Sequence, residues 1–146
     1  MNSPAATLNE LIEISRDGMH FYTDAITKVS SPHLKIVFRA MIDAKHRLIT
    51  ALSEHVRVRG EAPSREGTVA GSARKVYTDL RARFGEMQDS VYVGQLEASE
   101  ERLLAAFERA AAEASDPQVR RIILSNLPKV RLCHQQMRNL KMELAA

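Results

Sequence analysis

Two groups of residues in this chain have types and spacings that can hold a cation. MIDAKH (41–46) sets Asp43 three positions before His46, and a carboxylate-x-x-His pair on a helix is how di-metal carboxylate bundles hold their ions. Farther on, LEASEERLLAAFE (96–108) supplies Glu97 and Glu100, and His134 follows in the last third of the chain. Two carboxylates and an imidazole can ligate one divalent ion.

Helical phase separates these groups. In residues 32–57 the apolar arc centres near Met41, Leu48 and Leu52. On that wheel Asp43 lies roughly 160° and His46 roughly 130° away, so both are expected to face solvent. Lys45 falls within about 40° of the centre, and Glu100 within about 20° of the centre of its own apolar line. Ser15 takes a seam position in the first helix, and His134 lies about 60° off the seam of the last, at its edge. Counting from the turns, all four fall near mid-height, with Ser15 opposite Lys45 and Glu100 opposite the turn containing Arg131 and His134.

A lone ionised glutamate in an apolar core costs several kcal/mol, so Glu100 needs a partner or a proton. One reading is a structural polar layer of Ser15, Lys45, Glu100 and His134, in which Lys45 or a protonated His134 neutralises the carboxylate. The other is a single divalent metal held by Glu100 and His134, with Glu97 as a third ligand. A two-metal centre wants about four core carboxylates and two histidines. Here Glu10, Glu13, Asp17 and Asp24 phase away from the seam, and Lys45 repels a cation.

The elements that position these residues read as helices. The first starts at Ser3-Pro4 or at Thr7, and its apolar line runs Leu8, Ile12, Ser15, Met19, Tyr22, Ile26, Val29. Steps alternating between 4 and 3 keep one seam toward one partner. Ser31-Pro32 caps a second helix over about 32–57, and RGEAPSREG (59–67) is a loop by composition. A shorter amphipathic helix carrying Val69, Ala73, Val76, Leu80, Phe84 and Met87 is expected next, broken at Gly85. A third long helix spans about 90–114. After the cap Asp116-Pro117, a fourth runs to about Leu144. This predicts an all-α, ferritin-like four-helix bundle: two antiparallel hairpins joined by a long crossover containing a short helix.

At 146 residues, 45% hydrophobic and 27% charged, the chain is expected to form one domain over 1–146, with a sizeable core. The formal charge of +3 is mild. Tyr77, Phe84 and Tyr92 form no interleaved stacking series, so nucleic acid is not an expected partner. The single cysteine, Cys133, excludes an internal disulfide and reads as a small apolar seam residue. No apolar run is long enough to span a membrane. The N-terminal MNSPAATLNELIEIS has no signal-peptide pattern, so a cytoplasmic protein is expected. Pro128, inside the fourth helix, removes one hydrogen bond, to Leu124.

LNELIEISRDG (8–18), TVAG (68–71), LEASEERLLAAFE (96–108) and the V-x-x-x-H of 130–134 occur in an order and spacing that resemble a family of uncharacterised bacterial ferritin-like four-helix-bundle proteins, a domain of unknown function related to stress-associated ferritin-like proteins. The resemblance implies acidic residues where ferritins carry iron ligands, and Glu97, Glu100 and His134 match those positions. The chain departs from the pattern at Met19 and His20, where relatives tend to be acidic, and at Arg131, where a ferritin Glu-x-x-His would place its glutamate. These departures tell against iron oxidation.

The expectation is therefore a non-catalytic bundle with a degenerate metal site and no cofactor, self-associating as a homo-oligomer, a dimer. The enzyme alternative is an iron- or manganese-binding ferritin-like oxidase using Glu100 and His134. The third alternative is a histidine phosphotransfer module, for which His33-Leu34-Lys35 is the only cue, and His33 sits at a helix start instead of mid-helix.

Overall fold

The computed structural model describes residues 3–68 and 88–145. Among them it has four helices and no strand: α1 (Pro4–Ala25), α2 (Pro32–Arg57), α3 (Asp89–Glu113) and α4 (Pro117–Ala145). The arrangement is compatible with a four-helix bundle. The expected crossover helix, from Val69 to Met87, lies outside the described residues.

Three of the four helices, α1, α2 and α4, start at a side chain that caps them, whereas α3, entered through Gln88, has no side-chain cap. The Ser3 hydroxyl accepts from the Ala6 amide, and that of Ser31 from the Leu34 amide, with proline at the first helical position in both cases. Asp116 accepts from the amides of Gln118 and Val119 ahead of α4. Gly60, at φ +77°, ends the turn after α2 in a conformation that glycine adopts without strain. At the start of α3, Asp89 turns its carboxylate outward from its own helix and accepts from the Ser30 and Ser31 amides at 2.9 and 3.0 Å. This ties the beginning of α3 to the turn between α1 and α2.

The core falls into two apolar clusters. One gathers Leu8 and Ile12 with Leu52 and Val56, Leu103 and Phe107, and Val119 and Ile123. The other gathers Tyr22 and Val29 with Leu34 and Phe38, Tyr92 and Leu96, and Met137. These groupings make α1 antiparallel to α2, and α3 antiparallel to α4. They also set α2 and α3 parallel, and after α2 the chain turns back. The first part of that return is latched along α1. Asn9 donates to Ala62 O and accepts from the Ser64 amide, the Ser64 hydroxyl donates to Glu13, and Arg16 donates to Ser64 O. The Thr68 amide and hydroxyl both donate to Asp17, and Arg102 of α3 reaches the same carboxylate at 3.5 Å.

The seam of α1 drifts from the expected line. Past Ser15 the buried positions are Gly18, Tyr22 and Ala25, whereas Met19 and Ile26 are only half-buried. A straight helix at 3.6 residues per turn cannot hold a strict alternation of 4 and 3 against one partner. The small residues are buried where neighbours come close. A Cβ on Gly18 would meet the Lys45 stem at 3.6 Å and the Ser99 hydroxyl at 3.5 Å, both ordinary van der Waals contacts. Pro128 interrupts nothing: α4 continues through it, and both Pro128 and Leu124 are exposed.

Gly18→Ala is therefore expected to raise stability by about 0.5–1 kcal/mol, through helix propensity alone. Urea unfolding measures it. A loss of stability instead would mean that the Lys45 stem needs the space that glycine leaves.

Candidate metal and ion-pair site

Between the two apolar clusters lies a layer of polar side chains. Lys45 of α2 and Glu100 of α3 are 2% and 1% exposed, and their charged ends meet at 2.6 Å (Oε1) and 2.8 Å (Oε2). The ammonium therefore bridges both carboxylate oxygens. Tyr22 of α1 donates its hydroxyl to Glu100 Oε2 at 3.2 Å. Its ring stands edge-on to Phe38, with centroids 5.7 Å apart, which fixes the direction of the hydroxyl. Burial pushes the Tyr22 hydroxyl well above the usual range, and the Glu100 carboxylate beside it pushes the same way. Cys133 of α4 flanks the pair. Burial raises its thiol, while the Lys45 ammonium pulls it back.

Ser15 and His134 are not hydrogen-bonded to this pair. Ser15 is fully buried, but its hydroxyl donates to Leu11 O of its own helix at 2.7 Å. His134 points to the edge, where Nε2 lies 3.2 Å from Glu97 Oε2. Glu97 also accepts from Lys141 at 3.2 Å through its other oxygen. Of the four residues expected in one layer, Lys45 and Glu100 form a dry pair, His134 forms an outer pair with Glu97, and Ser15 bonds back to its own helix. Asp43 and His46 are both exposed, as their phase on α2 requires, and so is His33.

The outer pair has a third member that the sequence pattern did not single out. Glu101, exposed on α3, brings a carboxylate oxygen to Glu97 and His134 such that the three ligand atoms lie within 4.8 Å of one another. Its signal is the i,i+4 spacing from Glu97, which stacks the two carboxylates on one helix face. Tyr22 was also missed, because its place on the apolar line hides the polar tip.

The two sites differ in their fitness for a metal. The buried polar side chains that α1 and α2 supply are Ser15, Tyr22, Lys45 and Ser53. None of them is a carboxylate, and an ammonium already spans both oxygens of Glu100. This set does not fit a metal ion. Glu97, Glu101 and His134 do offer the oxygen and imidazole donors that suit zinc, manganese or iron. Lys141, half-exposed and resting on Glu97, must then swing away.

A family model described as a domain of unknown function (DUF2383) matches residues 3–113. The chain belongs to that family. No curated protein and no solved structure matches it. The stretch matched to the family holds Tyr22, Lys45, Glu97, Glu100 and Glu101, and ends before α4, which supplies Cys133, His134 and Lys141. The buried ion pair lies wholly within the matched stretch, and the outer cluster only in part.

Removing either end of the buried pair strands the other. Lys45→Met or Glu100→Gln is each expected to cost about 3–5 kcal/mol, whereas the double change Lys45→Met/Glu100→Leu recovers most of that loss. Denaturant unfolding of the three variants measures it, and equal stability in all three would remove the pair from any structural role. The alkaline side carries a second expectation. Tyr22 and Cys133 hold their protons more tightly folded than unfolded, so the stability they contribute is intact below their ordinary values of 10.0 and 9.0. It is lost as pH rises through the raised folded values. The melting temperature is expected to fall between about pH 9 and pH 11, and less steeply in Tyr22→Phe/Cys133→Ala.

Proposed function

We propose that the protein is a ferritin-like bundle without a catalytic metal centre, a scaffold in which a lysine–glutamate pair stands where related folds hold their ions. The observation that carries this reading is the Lys45 ammonium on both oxygens of Glu100, in a layer only 1–2% exposed. Two unit charges in such surroundings attract each other strongly, and a divalent cation could take Glu100 only by stranding the lysine. The parallel course of α2 and α3, with the connection returning along α1, supports a ferritin-like topology. The stress association and bacterial origin implied by the resemblance, a cytoplasmic location and a homodimeric state belong to the same reading. For the described residues, no helix is long and apolar enough to cross a membrane.

A second reading is favoured by the convergence of Glu97, Glu101 and His134. In it the protein takes one divalent ion at the edge between α3 and α4, with Glu100 left out of the ligand set. Ligation there needs neutral His134 and displacement of Lys141, so binding falls with acidity.

Metal analysis after loading with Fe(II), Mn(II) or Zn(II) separates the two. The first reading expects no metal retained through gel filtration in the native chain. The second expects near-stoichiometric metal that is lost in His134→Ala and in Glu101→Ala but kept in Lys45→Met. Metal lost in Glu100→Ala, with Glu97, Glu101 and His134 intact and the fold preserved, would overturn both and restore a core centre.

A further inference from the structure

A second cavity lies on the other side of the ion pair, between α2 and α4. It has a volume of about 380 Å³, within the range of small-molecule sites. α2 and α4 touch only sparsely. On the α2 side, the alanines Ala40, Ala44 and Ala51 leave the space open. Met41, Leu48 and Val130 form apolar walls, and Leu132, 58% exposed, stands at the opening.

Among the described residues, the charges around this cavity have one sign: Lys45, Arg47 and Lys129 line it, and no acidic residue does. Lys45 is already committed to Glu100. Arg47 and Lys129 are exposed and make no ion pair among the described residues. The cavity of similar size beside the turn between α3 and α4 is different, since Glu10, Arg109, Glu113 and Asp116 give it both signs. An apolar trough with two unpaired cations at its mouth matches a molecule with an apolar tail and one anionic head.

We propose that this cavity binds a free medium-chain fatty acid, its carboxylate between Arg47 and Lys129 and its chain along Met41, Leu48 and Leu132. A second copy of the chain fits poorly, because a two-fold contact would set the same cations against each other. Nucleic acid fits poorly as well, because among the described residues no aromatic side chain lines the cavity to stack a base. The inference does not depend on how the metal question is answered, since the cavity shares no residue with Glu97, Glu101 and His134.

Cys133 lines the cavity and is the only cysteine in the chain, so it reports occupancy. Decanoate is expected to slow alkylation of Cys133 by iodoacetamide, and decanol to do so only at concentrations about tenfold higher, the loss of one favourable charge contact. Arg47→Glu and Lys129→Glu, both at exposed positions, should each raise the protecting concentration of decanoate by about tenfold or more. Ala44→Leu, which fills the trough, should abolish protection while the helical fold is retained by circular dichroism. Calorimetric titration with decanoate runs beside these, so that a slow thiol does not decide the result. The proposal is overturned if no heat and no protection are seen, if decanol protects as well as decanoate, or if the charge reversals change nothing. Protection by anionic vesicles but not by free decanoate would overturn it in favour of a membrane surface.

Discussion

At mid-height of the helices an ammonium and a carboxylate are held out of water within hydrogen-bonding distance of each other, and much of the surrounding structure follows from keeping them there. A charge in such a place costs several kcal/mol unless its partner is placed well. The placement uses three helices: α2 for Lys45, α3 for Glu100, α1 for the Tyr22 hydroxyl that takes up a remaining lone pair. The Lys45 stem must cross the interior to reach Glu100, and α1 presents Gly18 beside it. On either side of this layer the core returns to purely apolar contacts. A repeat of leucines and valines is tolerant of sliding by a heptad, because one apolar layer resembles the next. The pair is not tolerant. Any slip of α2 against α3 leaves two unpaired charges in an apolar layer, so the ion pair ties the register of the helices to a single solution.

The same pair divides the chemistry of the molecule between inside and edge. Within the layer, every oxygen of Glu100 is engaged by a donor from this chain, and nothing there can exchange a ligand without losing a partner. One turn earlier on α3, Glu97 is also buried, but its partners His134 and Lys141 come from the rim of α4 and are themselves more exposed. Glu101 adds a third group from solvent. Moving outward by the width of one side chain turns a closed ion pair into a set of ligands that can be rearranged.

The burial of Lys45 and Glu100 was legible from phase alone, since each sits among apolar neighbours at helical spacing. The caps were legible too, because Ser3-Pro4, Ser31-Pro32 and Asp116-Pro117 each combine an acceptor with a residue that starts a helix. The composition of the layer was not. A buried serine can satisfy its hydroxyl on the preceding turn, as Ser15 does with Leu11, so a seam position says nothing about which partner it takes. His134 stands at the seam's edge, where a small rotation of α4 decides between Glu100 and Glu97. The latches of Glu13 and Asp17 on residues 64–68 were invisible for another reason: phase correctly turns these carboxylates away from the core but cannot tell solvent from a passing loop.

That loop also explains why the two long faces of the structure differ. Residues 58–68 run along α1 and reach Arg102 of α3 through Asp17 and Thr68, so the α1 and α3 side is covered by the chain itself. No described segment crosses α2 and α4. On the covered side Asp17 meets Arg102; on the other, alanines line the gap, and among the described residues Arg47 and Lys129 have no acidic partner. Small residues at an interface between helices usually let the helices close up. Here they do not close, and the gap opens onto the Lys45 stem and Cys133. The Lys45 stem lines this gap while its ammonium stays on Glu100 across the interior. Trough and core thus share one residue, Lys45, whose stem lines the first and whose ammonium neutralises Glu100 in the second.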